Sequence, residues 1–337
     1  MSFAASQEKR YVLGIDGGGT KTVCVVLDRS GTVCGRGIGS ASNYQSRGLA
    51  AAEEAILMAI RKAIASLTLP PTQSISVEGI GIGLAGAGRP EDIRQIRQLL
   101  QGLLASEKLP LKWCGTPDTL QVASDCAIAL VGGTRREVGI VTIAGTGSIV
   151  YGCNERGETR RAGGWGYLLG DEGSGYSIAL RGLQAAVRAE DGRSDRTRLM
   201  SDFLAHLGLN RSEELVEAVY RRGWGVKEIA ALSVVVDGAA AAGDAMAQGI
   251  IDEAVRELVL ATEVVGRSLF RSDEVFEVVT VGGTWRGESK LRSGFIAELG
   301  EVAPNARVIE PRYEPAVGAG LMVMNSEREE YSRRHIG

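Results

Sequence analysis

Two stretches of this chain follow one plan. Tyr11–Ile15 reads as an apolar strand and residues 16–21 as a glycine turn. Residues 22–27 read as a second strand, followed by the polar turn Asp28-Arg29-Ser30-Gly31 and a third strand over 32–38. The order recurs downstream: Val138–Ile143 is apolar, Gly145-Thr146-Gly147-Ser148 turns, Ile149–Cys153 is apolar, and Asn154-Glu155-Arg156-Gly157 turns again. Short apolar runs bounded by glycine and Asn/Asp clusters are strand-and-hairpin signals. Two such loops, each set between strands, confine the chain to an α/β architecture with two related units. Its 337 residues suit two domains at roughly 100–200 residues each.

The chemistry of the first loop follows from its residue types. Glycine lets backbone N–H groups converge on a ligand, because no Cβ intervenes. Successive N–H groups in such a turn form a nest for anions. In GIDGGGTKT (14–22), Gly18 and Gly19 supply bare backbone, Thr20 a hydroxyl and Lys21 a point charge. Asp16 cannot meet a phosphate directly, since both are negative. It can hold Mg²⁺ through water, and the metal then bridges to phosphate. The loop is not a Walker A motif, because Thr20 stands where that pattern needs lysine and the next segment is a strand, not a helix. Taken alone it is equally a plain glycine-rich hairpin. The further small-residue turns at 145–148 and at Gly282-Gly283-Thr284 shift the balance to nucleotide binding. Gly81-Ile82-Gly83-Leu84-Ala85-Gly86 matches a dinucleotide fingerprint, with Glu107 at a plausible distance. The following helix opens only at Pro90, however, so this loop is read as lining a site or packing a strand end.

Between and after the loops, residues 48–66 have helical periodicity, Val77–Leu84 reads as a strand, and Pro90-Glu91-Asp92 opens a helix. Leu120–Ala123 reads as a strand ending near Asp125. Helices are expected over 174–190, 195–208, 212–222 and Asp244–Phe270, a strand over Val275–Val281, and a small-residue helix over Pro315–Met324. These signals divide the chain into an N-terminal domain over 10–130, a C-terminal domain over 131–325, whose last helix is left free to pack back on the first, and a charged tail over 326–337.

Composition removes several function classes. Net charge is −3 and the basic residues form isolated pairs such as Arg135-Arg136 and Arg221-Arg222, so nothing suggests nucleic acid. No apolar run is long enough to span a bilayer, and no basic segment followed by an apolar one marks a signal peptide. Five cysteines without a C-x-x-C pair argue against a disulfide framework and for a cytoplasmic chain. With only His206 and His335 as histidines, both away from the glycine motifs, the chemistry falls to carboxylates.

The motifs together resemble the phosphate-1, phosphate-2 and adenosine segments of the actin, sugar-kinase and chaperone ATPase superfamily. More narrowly, the chain resembles the N-acetylglucosamine kinase and BadF/BadG/BcrA/BcrD ATPase family. Its segments are GIDGGGTKT (14–22), SASNY (40–44), GLAGAGRPED (83–92), ASDCAIAL (123–130), IAGTGS (143–148), GGWGYLLGDEGSGY (163–176), VGGTW (281–285) and EPAVGAGLM (314–322). The resemblance implies two RNase-H-like, actin-like ATPase domains with a cleft between them. It implies ATP and Mg²⁺ as cofactors and an amino sugar as small-molecule partner. Asp125 becomes the catalytic base, Thr20 and Thr146 lie at the phosphates, and Gly282 and Gly283 lie beside adenosine. Asn43, Gly86, Gly147, Gly164, Trp165 and Asp171 face the sugar, and family members are often homodimers.

Local readings of the same residues stay open at this level. Asp125 suits a helix N-cap as well as a base, Asn43 a polar turn, Asp171-Glu172 a helix start, and Trp165 a half-buried packing position. Two other functions compete with a sugar kinase. One is an ATP-driven enzyme activator of the same family, with Cys126 and Cys153 as candidate iron–sulfur ligands. The other is a non-catalytic ATP-binding regulator, which the full set of motifs disfavours. Among sugars, N-acetylglucosamine phosphorylated at its 6-hydroxyl leads, with glucosamine and N-acetylmuramic acid as alternatives. For the last, Arg89 stands out, since a lactyl carboxylate calls for an arginine.

Overall fold

The computed structural model describes the backbone of residues 9–68, 75–106, 108–221 and 223–336, and side chains as far as Ser326. Glu107 and Arg222, named above, lie outside the described residues. The chain divides into two compact units. The first takes the residues up to Glu137 and those from Pro311 onward; the second is Val138–Glu310.

The first unit opens with an antiparallel meander of β1 (Arg10–Gly17), β2 (Thr22–Leu27) and β3 (Val33–Gly39). Two helices follow, the single turn α1 (Tyr44–Arg47) and α2 (Leu49–Ala65), then β4 (Ile75–Leu84), α3 (Pro90–Ala105), β5 (Leu111–Trp113), β6 (Leu120–Ser124) and α4 (Asp125–Thr134). The sheet order is β3-β2-β1-β4, with β5 and β6 pairing successive stretches of the far side of β4.

The second unit runs β7 (Gly139–Ala144), β8 (Ser148–Cys153), β9 (Thr159–Gly163), α5 (Gly175–Glu190), α6 (Leu199–Leu207), α7 (Glu214–Arg221), α8 (Val226–Ala231), α9 (Ser233–Ala241), α10 (Ala245–Leu269), β10 (Phe276–Val281), α11 (Leu291–Val302) and β11 (Ala306–Ile309). Its sheet order is β11-β10-β7-β8-β9. Counted from each unit's first strand, both sheets therefore have the order 3-2-1-4-5. The hairpin repeat visible in the sequence is one part of a whole-sheet repeat. Strands β9 and β11 and helices α8, α9 and α11 were not expected, because their segments are short or interrupted by polar residues.

The last helix, α12 (Pro315–Ile336), belongs to the first unit. It can lie close on the sheet because β1 and β4 place Gly14 beside Gly81. A Cβ at these positions would stand 2.0 Å from the Ala316 carbonyl oxygen and 1.8 Å from that of Ala319. The division between units falls after Glu137, not at 130, because α4 continues to Thr134 and stays packed on α12. The segment 326–337, expected as a charged tail, continues α12 as helix to Ile336.

Both faces of the first sheet are covered, which explains its nearly unbroken apolar strands. Alternate residues go to opposite faces. Leu13, Ile15, Cys24 and Val26 join Ile56 and Ile60 of α2. Val12, Val23, Val25 and Leu27 join Val317 and Leu321 of α12. By the same alternation Asp16 lies on the α12 side, with Val12 and Gly14. Among the described residues, no single helix is long and apolar enough to cross a membrane.

Candidate active site

In the first unit, β1, β3, β4 and β6 end at one edge of the sheet, since β1, β4 and β6 are parallel and β2 reverses the chain before β3. The loops that leave these four ends carry the sequence-predicted residues of this unit. Two backbone bonds tie them together: Ser42 N–H donates to the Gly18 carbonyl (3.1 Å) and Ala85 N–H to that of Gly17 (2.9 Å). Gly18 N–H closes the glycine turn onto the Lys21 carbonyl at 3.0 Å. Gly19, Thr20 and Lys21 form its exposed rim.

Asp16 is paired across the ladder with Gly83, and Gly83 with Ala123. Asp125 follows directly after the end of β6. Asp16, on β1, and Asp125, just past the end of β6, thus belong to strand ends two ladder spacings apart, roughly 10 Å, and the strand between them carries Gly83, which has no side chain. Asp16 is half-buried. Burial, together with the charges of Asp125 and Glu314, pushes its carboxyl up to about 6, while Lys21 opposes the shift. Glu314 went unassigned in the sequence, although it opens EPAVGAGLM just before α12. It pairs with Arg36 of β3.

Asp125 is the first residue of α4, but it does not cap the helix. Ser124 does, its hydroxyl accepting from Ala127 N–H at 3.2 Å. The Asp125 Oδ1 atom accepts from Cys126 N–H at 2.9 Å. No hydrogen bond engages Oδ2 among the described residues. A half-buried carboxylate with one oxygen anchored and the other available has the form of a proton acceptor. Asn43 has the turn role that its residue type suggested. Its Oδ1 accepts from Gln45 N–H at 3.1 Å and caps α1, which leaves its NH₂ group for a ligand. Gly86 has a φ of +86° and its carbonyl accepts from Gln45 Nε2 at 2.9 Å. The helix that G-x-G-x-x-G should open starts only at Pro90, past Gly86, so no dinucleotide loop exists here.

The second unit brings together Thr146, Gly147, Asp171, Gly282 and Gly283. The β7–β8 turn closes by Gly145 N–H donating to the Gly147 carbonyl (2.9 Å), and it docks on the start of α5 through Gly175 N–H to the Gly145 carbonyl (2.7 Å). Thr146 points outward, exposed. Beside this turn, β10 pairs in parallel with β7 and ends at Val281. Gly282, at φ +125°, then passes so near that a Cβ would stand 2.0 Å from the Ala144 carbonyl oxygen. Only glycine fits, which fixes VGGT against the turn. Thr284 Oγ1 lies 3.4 Å from the Gly145 carbonyl, and Trp285 Nε1 donates to that of Thr142 at 3.3 Å from within the core.

Asp171 is not simply part of a helix start, since Ser174 caps α5. It is buried at a φ of +68°, and its Oδ1 accepts from Gly166 N–H at 3.3 Å. Its Oδ2 stands 2.8 Å from where a Cβ of Gly147 would be. Burial raises its carboxyl above the usual range, against hydrogen bonds from the Gly166 and Ser148 backbone. Trp165 is 64% exposed, so it is not a packing residue, and the Arg161 guanidinium lies 4.9 Å from its ring centre. Gly164 supports it at a φ of +68°.

A model of the BadF/BadG/BcrA/BcrD ATPase family matches residues 13–323. The chain belongs to this family. It is 34% identical over 319 residues to the N-acetylmuramic acid/N-acetylglucosamine kinase of Clostridium acetobutylicum, covering 94% of this chain and 99% of that one. It is 32% identical to the N-acetyl-D-glucosamine kinase of Dictyostelium discoideum, covering 95% and 99%. Among solved structures, a Chromobacterium violaceum protein described as a candidate N-acetylglucosamine kinase superposes with a TM-score of 0.71 at 26% identity, covering 94% and 99%. A ROK family glucokinase from Streptomyces griseus shares the fold, with a TM-score of 0.54 at 17% identity over 95% and 99%. The two α/β units of this family member are thus of the actin-like ATPase type.

Proposed function

We propose that this protein is an ATP-dependent kinase that phosphorylates an amino sugar, N-acetylglucosamine first, at its 6-hydroxyl. The observation that carries this reading is the position of Asp125. It follows a strand that ends on the same edge as the glycine turn, it is freed from capping by Ser124, and one of its carboxylate oxygens is uncommitted. Full-length similarity to kinases of amino sugars supports the substrate class.

A sugar hydroxyl attacking the γ-phosphorus must shed its proton, and Asp125 Oδ2 accepts it. Gly18, Gly19, Thr20, Lys21 and Thr146 hold phosphate oxygens. Gly282 and Gly283 receive the adenosine. Asn43, Gly86, Gly147, Gly164 and Asp171 hold the sugar by polar contacts, and the exposed face of Trp165 packs on the ring or its N-acetyl methyl group. The residues at Asp16 fit a divalent cation. Asp125 and Glu314 both act on the Asp16 carboxyl and a cation would relieve it, while no group of three metal-ligating side chains stands together among the described residues. Asp16 would hold Mg²⁺, through water, and the metal would supply neutralisation of phosphate charge.

A coupled ADP-release assay with Mg·ATP and a panel of N-acetylglucosamine, glucosamine, N-acetylmuramic acid, N-acetylmannosamine and glucose tests the reading. Sugar-stimulated turnover with preference for an N-acetylated amino sugar is expected. ATP hydrolysis that no sugar accelerates would overturn it.

A further inference from the structure

The edge of the first unit that bears the proposed sugar residues also carries Arg89, whose residue type suits a lactyl carboxylate. Arg89 ends the loop that leaves β4. Its backbone is committed, with N–H donating to Asp92 Oδ2 at 3.0 Å and the carbonyl accepting from Ile93 N–H. Its guanidinium is exposed and makes no hydrogen bond or ion pair with the described residues. Other arginines of this unit are engaged: Arg29 with Glu78, Arg36 with Glu314, Arg94 with Glu91, and Arg61 with the Lys108 carbonyl.

Two neighbours join Arg89 to the residues assigned to the sugar. Gln45 donates to the Gly86 carbonyl and so fastens the Asn43 turn to the Arg89 loop. Tyr44, next to Asn43, is only 9% exposed, and its hydroxyl lies within reach of the Asp92 and Gln45 side chains and in the field of Arg89 without a well-formed hydrogen bond. A buried donor left in that condition costs stability in the unliganded protein. A ligand that draws on it recovers that cost.

Acidic groups gather at this edge: Asp125 and Glu314 act on Asp16, opposed by Lys21, and Asp92 lies beside Tyr44. A neutral amino sugar has no need of a cation here. A sugar with a carboxylate of its own is repelled unless a cation compensates. A guanidinium does so with a planar fork that matches both carboxylate oxygens.

We infer that Arg89, assisted by the Tyr44 hydroxyl, recognises a carboxylate on the sugar. The site then accepts an amino sugar with an ether-linked carboxylate at O3 as well as a neutral one. This rests on the kinase reading above and adds to it the residue that discriminates among its substrates. Arg89 touches only the substituent, so it acts on specificity and not on phosphoryl transfer.

The probe is N-acetylmuramic acid, compared with N-acetylglucosamine on the full chain with Mg·ATP. The quantity read is the ratio of the two kcat/KM values. Arg89→Gln lowers the N-acetylmuramic acid to N-acetylglucosamine ratio about 10- to 100-fold, the worth of one charge-assisted bidentate contact, mainly through KM. Arg89→Lys recovers part of it, and Arg47→Gln, a change of the same charge one turn along α1, leaves the ratio within about twofold. A ratio unaltered in Arg89→Gln, or altered as much in Arg47→Gln, overturns the inference. So does a wild-type protein that phosphorylates N-acetylglucosamine and ignores N-acetylmuramic acid. Failure with every sugar overturns the kinase reading instead, and this inference with it.

Discussion

Replacing Asp16 by Asn is expected to stabilise the metal-free protein and to abolish its response to Mg·ATP. The Asp16 carboxyl is raised from 3.8 to about 6, first by burial and then by Asp125 and Glu314. The folded chain therefore holds this proton more tightly than the unfolded chain. Between about pH 4 and pH 6 stability falls as pH rises, and the penalty is complete above that window. At about 1.36 kcal/mol per pKa unit the ceiling is roughly 3 kcal/mol. Partial solvent access at this half-buried site brings the expected value down to about 1–2 kcal/mol. Asparagine carries no charge and removes the penalty. With about 2–4 °C of Tm per kcal/mol for a unit of this size, the variant should melt about 2–8 °C higher at pH 8 in EDTA. Most of that gain should be gone at pH 4.5. Differential scanning fluorimetry measures both. Added Mg·ATP should raise the wild-type Tm and leave that of the variant unmoved. A variant less stable than wild type at pH 8, or equally stabilised at both pH values, would refute the reasoning.

Other perturbations test the remaining assignments. Asp125→Asn should lose about 10²–10⁴ in kcat while Tm changes little, because Ser124 and not Asp125 caps α4; unchanged turnover would remove Asp125 as the base. Gly282→Ala should weaken ATP binding at least tenfold or destabilise the second unit by about 1–3 kcal/mol, since φ is +125° and a Cβ meets the Ala144 carbonyl; equilibrium dialysis and thermal melts would show either. Trp165→Ala should raise KM for the sugar several-fold with no loss of Tm, as an exposed ring contributes little to the fold. Freshly purified protein should contain no stoichiometric iron by elemental analysis, and a brown, iron-loaded protein would instead favour the enzyme-activator function.

Many elements of this candidate site were legible in the residues. The glycine turns, the aspartate before the first and the aspartate after β6 are short local signals, and local signals survive in a sequence. The strands of the first sheet were legible too, because both faces are buried and each reads as an apolar run. What was not legible depends on contacts between distant segments. Glu314 lies far along the chain from Asp16, yet the two reach one edge because α12 returns to the first sheet. Only side-by-side glycines at 14 and 81 make room for that return, and they belong to strands that sequence alone does not pair. The short strands β9 and β11 were missed because pairing, not propensity, holds a strand of four or five residues.

The sequence by itself determined the class of chemistry. Bare glycine backbone beside carboxylates, with almost no histidine and no C-x-x-C pair, points to phosphate handling. Tertiary structure decided the surroundings of each carboxylate. Ser124 took the capping role from Asp125, Asn43 kept its turn role, and burial among like charges set Asp16 apart. The physical reason is that residue type fixes what a group is able to do, while its protonation and its free lone pairs are fixed by neighbours that only folding supplies.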